Sequence, residues 1–367
     1  MKFKCSGLDL FDAATKVVKA VAVKNNNSIL EGIKLSVENN VLTLNATDLE
    51  LSIEKRLKAD VTIEGEIVVP GKIFVELVRK LVNETIEFNL QDKNQLKIVY
   101  GNNVGYLQCF NALEFPGFKK IEDSDYFEIK QNDFKVLIGK SIISAATDDS
   151  RPILKGCLFE VERKNIRSVA LDGYRLAVVN KKLINSTAEL NAVVPARSLL
   201  EISKLLSDSD DPVKVYIQKN YLMCDLKETV ILTRLLDGDF INYRKIIPAS
   251  QSSLMTINKR QFEEALERAS LLSRIDRNNI VKFDISSDIM VITSNSEAGE
   301  ICEKINIQSE NMKLKIAFNA KYLIEVLQAQ EDEFVKVSFE TGLEPCVIRP
   351  NIGEQYLYLI LPVRLPN

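Results

Sequence analysis

No histidine and no tryptophan occur among the 367 residues. Without histidine there is no Ser-His-Asp or Cys-His catalytic pair, no histidine zinc ligand and no imidazole to move protons near neutral pH. Cysteine is sparse too. Cys5, Cys109, Cys157, Cys224, Cys302 and Cys346 are scattered, with no C-x-x-C pair. That spacing excludes a zinc ribbon and a thioredoxin-like redox motif, and it predicts free thiols in a reducing compartment. Neither G-x-G-x-x-G nor G-x-x-x-x-G-K-[ST] occurs; Gly139-Lys140-Ser141 lacks the upstream glycine and falls in a predicted helix. Nucleotide binding is therefore not expected, and neither is any other cofactor. No run of about 18 apolar residues could span a membrane. The opening MKFKCSGLDLFDAATK also lacks the apolar stretch of a signal peptide. The expectation is a cytoplasmic protein with no membrane partner.

What is present describes an ordinary globular chain, 46% hydrophobic and 27% charged. Its length predicts two or three domains. Lys and Arg number 48 against 51 Asp and Glu, a net charge of −3. That balance argues against a surface basic all over, but it leaves room for one basic face offset by an acidic one.

The chain repeats itself. VVPGKIFVE at 68–76 returns as VVPARSLLE at 193–201, 125 positions on, and as AFNAKYLIE at 317–325, 124 further. FPGFKKI at 115–121 matches FINYRKI at 240–246. FKCSGLDLFDAATKVVKA, FEIKQNDFKVLIGKSIIS and MTINKRQFEEALERASLL each read as a short strand, a polar turn and an amphipathic helix. IKLSVENNVLTLNATDLELSIEKRL alternates apolar and polar residues around Asn-Asn and Thr-Asp turns, a hairpin pattern. The chain is thus three copies of one α+β unit of roughly 120 residues. The predicted domains are 1–124, 125–249 and 250–367, with boundaries in polar loops. Each is β-rich, with about two short helices on one face of the sheet.

Cations fall at matched places. Lys16, Lys140 and Arg268 are equivalent on the opening helices, and Lys72, Arg197 and Lys321 on the second ones. Lys19, Lys24, Arg79, Lys204, Arg274 and Arg277 lie nearby. Three similar units about one axis would turn these positions into a basic lining, which suits a uniformly charged phosphate backbone. No base-reading motif accompanies them, so contact with double-stranded DNA should be non-specific and salt-sensitive. Two rival readings stand beside this one. Asp148 and Asp149, with Glu160 not far off, could centre a carboxylate-dependent metal nuclease or phosphoesterase, although the pair also reads as a solvated turn. Alternatively, the repeats could form a scaffold with no DNA role.

SVALDGYRLAV (168–178), LLDGDFINYRKIIP (235–248) and LYLILPVRL (357–365), together with the MKF start and the threefold unit, resemble the bacterial DNA polymerase III beta subunit, the replicative sliding clamp. The resemblance runs from Met1 to Leu365. It implies a homodimer of three-domain subunits, head to tail in a ring around duplex DNA, with helices lining the hole and sheets outside. It also implies a non-catalytic processivity factor that tethers the replicative polymerase and other clamp-binding proteins. An ATP-driven clamp loader would open the ring.

By the same resemblance, Leu154, Gly173, Tyr174, Arg175, Leu176, Ile241 and Ile246 form one part of a hydrophobic peptide pocket. Asn319, Tyr322, Cys346, Leu359, Leu361, Pro362, Val363 and Arg364 complete it. Leu107 on one side and Leu271 and Leu272 on the other are the implied dimer contacts. Tyr174 and Ile241 stand where many members carry His and Pro, and Pro152-Ile153 stands where some place two tyrosines. Pro366 and Asn367 extend past the usual ending.

Overall fold

A strand, a helix, five strands, a second helix and three strands follow one another three times along the chain. The computed structural model describes residues 1–23, 27–119, 121, 124–187, 189–248, 253–274, 279–309 and 313–364. Lys24, Arg277, Pro366 and Asn367 lie outside the described residues, as does the boundary expected at 249.

The first pass runs β1 (Lys2–Ser6), α1 (Gly7–Val17), β2 (Gly32–Glu38), β3 (Val41–Thr47), β4 (Leu51–Lys58), β5 (Asp60–Ile63), β6 (Gly65–Pro70), α2 (Gly71–Arg79), β7 (Thr85–Gln91), β8 (Gln95–Tyr100) and β9 (Asn103–Gln108). The second runs β10 (Tyr126–Lys130), α3 (Gln131–Ile142), β11 (Gly156–Glu162), β12 (Asn165–Leu171), β13 (Arg175–Lys182), β14 (Asn185–Ser186), β15 (Leu190–Pro195), α4 (Ala196–Leu205), β16 (Pro212–Gln218), β17 (Tyr221–Asp225) and β18 (Thr229–Arg234). The third runs β19 (Ser253–Asn258), α5 (Lys259–Ser273), β20 (Ile280–Ser286), β21 (Ile289–Ser296), β22 (Gly299–Asn306), β23 (Gln308–Ser309), β24 (Lys313–Asn319), α6 (Ala320–Gln328), β25 (Phe334–Phe339), β26 (Cys346–Pro350) and β27 (Tyr356–Ile360).

Local chemistry accounts for the helix starts. Ser6 caps α1 by accepting from the Asp9 amide at 3.4 Å, and Asn258 caps α5 by accepting from Gln261 at 3.1 Å. Asn319 does the same for α6 through Lys321 at 3.0 Å. Pro70 and Pro195 occupy the corresponding place before α2 and α4, where the missing N–H costs nothing. In α1 the buried residues Leu10, Ala13, Ala14 and Val17 recur at helical spacing and turn one face to the sheet. The β2–β3 hairpin turns on Asn39 and Asn40, with φ of 50° and 60°, in the left-handed region that asparagine tolerates.

The chain gathers into two compact units. The first comprises Met1–Lys130, Asn185–Thr187 and Asp211–Leu235; the second comprises Gln131–Ile184, Ala188–Asp210 and Leu236–Asn367. The first contains a five-stranded sheet, β5-β1-β7-β8-β9, and a nine-stranded sheet, β14-β10-β16-β17-β18-β4-β3-β2-β6. The second contains a nine-stranded sheet, β15-β11-β12-β13-β27-β26-β25-β19-β23, and a four-stranded one, β22-β21-β20-β24.

Each long sheet joins the last strand of one repeat to a strand of another. β18 lies antiparallel to β4 and β27 to β13, so the sheets are continuous across repeats and the compact unit differs from the repeat. Helices pack in pairs on the sheets: α1 with α2, α3 with α4, α5 with α6. Beneath them lie buried aromatics such as Phe3 and Phe88, stacked at 4.8 Å. Each such ring stabilises the fold by about 2–3 kcal/mol.

Candidate functional site

The matched cations occupy equivalent helical positions. Lys16, Lys140 and Arg268 are each the tenth residue of α1, α3 and α5. Lys72, Arg197 and Lys321 are each the second of α2, α4 and α6. Arg79 and Lys204 are both ninth, where α6 has Gln328.

Their surroundings differ. Lys72 and Arg79 are exposed and have no ion pair among the described residues, and Arg197 is exposed. Lys16 pairs with Asp12 at 2.8 Å, Lys204 with Glu201 at 2.7 Å and Lys321 with Glu325 at 3.8 Å. Arg268 is held by both carboxylate oxygens of Glu303, at 3.0 and 2.7 Å. This pairing holds the Glu303 carboxyl below the usual range. Lys140 is the exception. Half-buried like Lys16, it lies 5.3 Å from the centre of the Tyr356 ring with no ion pair among the described residues, and burial pushes its ammonium pKa down against the opposing pull of Asp332 and Glu331.

The residues expected in the peptide pocket all belong to the second unit. At its centre is the β12–β13 turn. Asp172 Oδ1 accepts from the Tyr174 and Arg175 amides at 2.9 and 3.0 Å, and Gly173 takes φ +93°, where a side chain would be strained. The turn leaves Tyr174 63% exposed. Its carbonyl accepts from the Leu361 amide at 2.9 Å, and Val363 N–H donates to the Ala317 carbonyl at 2.8 Å, so two backbone hydrogen bonds hold the tail against the turn and β24.

Arg175 faces inward. Its Nε donates to Asp172 Oδ2 at 2.9 Å, an Nη contacts Glu325 on α6, and the guanidinium lies 4.3 Å from the Tyr322 ring centre. Arg175 thus joins the turn to α6 as a positioning residue, and Asn319 and Tyr322 flank the same helix start.

Leu154, Leu176 and Leu359 are buried in one apolar cluster with Ala146, Val169 and Val347, and Ile241 packs against it. Cys346 is also buried, which raises its thiol pKa. The accessible apolar surface comes from Tyr174, Ile246 (39% exposed) and Leu361 (37%), with Pro362 and Val363 half-buried and Arg364 exposed. The sequence reading missed Phe240 and Tyr243, which close the cluster. Their signal was present: FINYRKI repeats the aromatic spacing of Phe115 and Phe118 in FPGFKKI.

Tyr243 anchors the 236–247 segment from below. Its hydroxyl donates to the buried Glu160 carboxylate at 2.7 Å, and the same oxygen accepts from Arg244 at 2.8 Å and Arg167 at 3.2 Å. Burial, then the Glu160 bond, raises the Tyr243 pKa. Glu160 is therefore occupied structurally. Asp148 accepts from Ser150 and Asp149 pairs with Lys155 at 2.5 Å, as in a solvated turn, and no metal-binding cluster occurs among the described residues.

β9 and β22 end their sheets as unpaired edges. β9 carries exposed Val104 (47%) and Tyr106 (54%) with half-buried Leu107; on α5, next to β22, Leu271 is 59% exposed and Leu272 half-buried.

Comparison with known proteins agrees with this layout. Family models for the DNA polymerase III beta subunit match in order: the N-terminal domain at 1–119, the central domain at 128–242 and the C-terminal domain at 244–364. The beta sliding clamp of Bacillus subtilis is 33% identical, the match covering 99% of this chain and 100% of the relative. The crystal structure of the Bacillus subtilis DNA polymerase sliding clamp superposes with a TM-score of 0.97 at 32% identity, both chains covered in full. That of the Thermotoga maritima DNA polymerase III beta subunit gives 0.92 at 28%, again with both chains fully covered.

Proposed function

Because the chain belongs to the DNA polymerase III beta subunit family, the sliding clamps of bacterial DNA replication, we propose that two copies close into a ring through β9 of one and β22 of the other. The protein is a non-catalytic processivity factor built of three clamp domains, and it works with DNA and a DNA polymerase. That membership sets aside the nuclease and plain-scaffold alternatives. No helix among the described residues is long and apolar enough to cross a membrane, and we place the protein's work in the cytoplasm.

The observation that carries the ring is internal symmetry. Starting from Phe3, Phe127 and Met255, each four residues before its helix, the register leads to Phe88, Val215 and Val337, then to Ile98, Cys224 and Ile348, then to Gly105, Ile231 and Tyr358. Ile231 faces Ile53 on β4, and Tyr358 faces Ala177 on β13. The equivalent residue on β22 is Ile301, because β4, β13 and β22 begin 124 positions apart at Leu51, Arg175 and Gly299. A third copy of the same junction pairs Gly105 with Ile301, Val104 with Cys302 and Leu107 with Gly299. Two head-to-tail copies satisfy both edges, which also protects them from aggregation. Leu107, Leu271 and Leu272 pack beside this seam.

In the ring, Lys16, Lys72, Arg79, Lys140, Arg197, Lys204, Arg268 and Lys321 face duplex DNA, with the domains divided as 1–124, 125–249 and 250–367. The polymerase's catalytic subunit and other clamp-binding proteins dock a short apolar peptide against Tyr174, Ile246 and Leu361, over the cluster of Leu154, Leu176, Ile241 and Leu359. Gly173, Arg175, Asn319, Tyr322, Cys346, Pro362, Val363 and Arg364 shape the rest of the pocket. An ATP-driven loader opens the ring.

The test is topological. Protein loaded on nicked circular DNA with a matching loader should stay bound until the circle is cut, then be lost. Equal retention on cut and uncut DNA would refute encirclement.

A further inference from the structure

Beside the apolar cluster the second unit contains a cavity of ≈ 340 Å³ whose polar wall is Arg167, Asn180, Tyr243, Arg244, Arg349 and Tyr356, with one carboxylate, Glu354. Arg167 and Arg244 share the Glu160 carboxylate. Arg349 has no such partner: it is half-buried, and its guanidinium has no hydrogen bond and no carboxylate at ion-pair distance among the described residues. Burial pushes its guanidinium pKa below the ordinary arginine value, opposed by the more distant charge of Glu354.

The strand register sharpens the imbalance. Lys336 on β25 lies directly opposite Arg349 on β26, and it too is half-buried and without an ion pair among the described residues. Like charges opposed across neighbouring strands destabilise a sheet. Two half-buried cations thus lie side by side with no carboxylate at ion-pair distance among the described residues.

The cavity adjoins the apolar cluster that underlies the proposed docking pocket, since Val178 and Tyr243 belong to the cluster and also line the cavity. We propose that Arg349 and its neighbours receive a carboxylate side chain of the same peptide that docks its apolar residues in the pocket. This rests on the docking reading above. A planar guanidinium holds a carboxylate through two parallel hydrogen bonds, so one or two acidic residues flanking the apolar segment would be selected.

The test measures fluorescence anisotropy of labelled peptides on the full-length protein at low salt. One peptide is an uncharged hexapeptide of Leu, Phe, Ser and Ala; two others add three glutamates at its N- or C-terminal end. One glutamate extension should tighten binding by about tenfold. In Arg349→Gln the gain should fall below about twofold, and Arg349→Lys should recover part of it. The uncharged peptide should bind wild type and R349Q alike, which verifies that the variant is folded. A gain that persists in R349Q, or no gain in wild type, would overturn the proposal. If inorganic phosphate raises the melting temperature of wild type but not R349Q while the glutamates add nothing, the cavity is a site for free anions and the proposal is wrong. Failure of the uncharged peptide to bind wild type would instead defeat the docking reading, and this inference with it.

Discussion

Val104→Cys tests the ring at atomic register. The repeated junctions place Val230 opposite Glu54 and Val178 opposite Leu357. The same junction made between two copies therefore places Val104 opposite Cys302 of the partner subunit. Directly opposed residues on antiparallel strands have Cα atoms about 4.5–5.5 Å apart. A disulfide accepts about 4.4–6.8 Å, so V104C should oxidise to an intersubunit bond with the native Cys302 without backbone movement. Cys302 is the exposed cysteine, the other five being buried, so competing thiols are out of reach.

Tyr106→Cys is the control. Its partner in this register is Glu300, which leaves Cys302 a diagonal neighbour about 7–8 Å away, beyond disulfide range. Gly105→Cys is the second control, because its side chain would point to the opposite face of the sheet. Mild oxidation followed by non-reducing electrophoresis should give a near-complete dimer band for V104C, little for the other two, and none for V104C carrying Cys302→Ser. A dimer band from Y106C or G105C equal to that of V104C would refute the register. A monomer in all three, with the protein also monomeric by sedimentation at micromolar concentration, would refute the edge pairing itself.

Arg175→Ala should lower stability by about 3 kcal/mol, because Asp172 and Glu325 lose their cation at a site where Asp172 is largely buried; urea denaturation showing no change would contradict the positioning role. Deleting residues from Pro362 onward should abolish polymerase stimulation and leave dimerisation intact, since β27 ends at Ile360 before the tail begins; normal stimulation by the truncated chain would disprove the pocket. Burial raises the Cys5 and Cys109 thiols from 9.0 to about 12 and about 11. The folded state keeps those protons longer than the unfolded chain does, so this contribution is complete below pH 9 and is lost as the pH climbs through the folded values. The melting temperature should therefore fall from about pH 9 upward, less steeply in a Cys5→Ala, Cys109→Ala variant; equal slopes would show that these thiols do not contribute.

Local chemistry made much of this molecule legible in advance. Pro70 and Pro195 mark helix starts because a missing N–H costs nothing there, Asn319 because its side chain accepts from an orphan amide, and the tenth and second helical positions carry the matched cations because the repeat copies helix length with its charge. Asn39-Asn40 signals its hairpin through a backbone that few other residues accept. The long-range pairings were not legible. That β18 would join β4 depends on two edges meeting, which neither strand's composition announces. Arg175 looked like an accessible pocket residue, but its charge is taken up by Glu325, 150 positions away. Lys140 has the same helical position as Lys16, yet where Lys16 meets Asp12 of its own helix, Lys140 meets Tyr356, a ring contributed by another repeat. Periodicity indicates which face a residue shares. It does not identify what comes to cover that face.

The ion pairs on the helices bear on how a clamp can hold DNA and still move. Lys16, Lys204, Lys321 and Arg268 each already have a carboxylate neighbour. Exposed pairs of this kind are worth about 0–1 kcal/mol, so on the proposed reading a passing phosphate would displace the carboxylate at little cost, and its own departure would be just as cheap. A lining of bare lysines would bind more tightly, and every step along the duplex would have to break those contacts. On the proposed reading, pairing these four flattens that landscape while Lys72 and Arg79 stay unpaired: the field would still favour DNA, with no single position along it preferred. Retention must then come from elsewhere. On the proposed reading it comes from the seam between β9 and β22, where continuous sheet closes the ring, so holding and sliding depend on different residues and each can be weakened without the other.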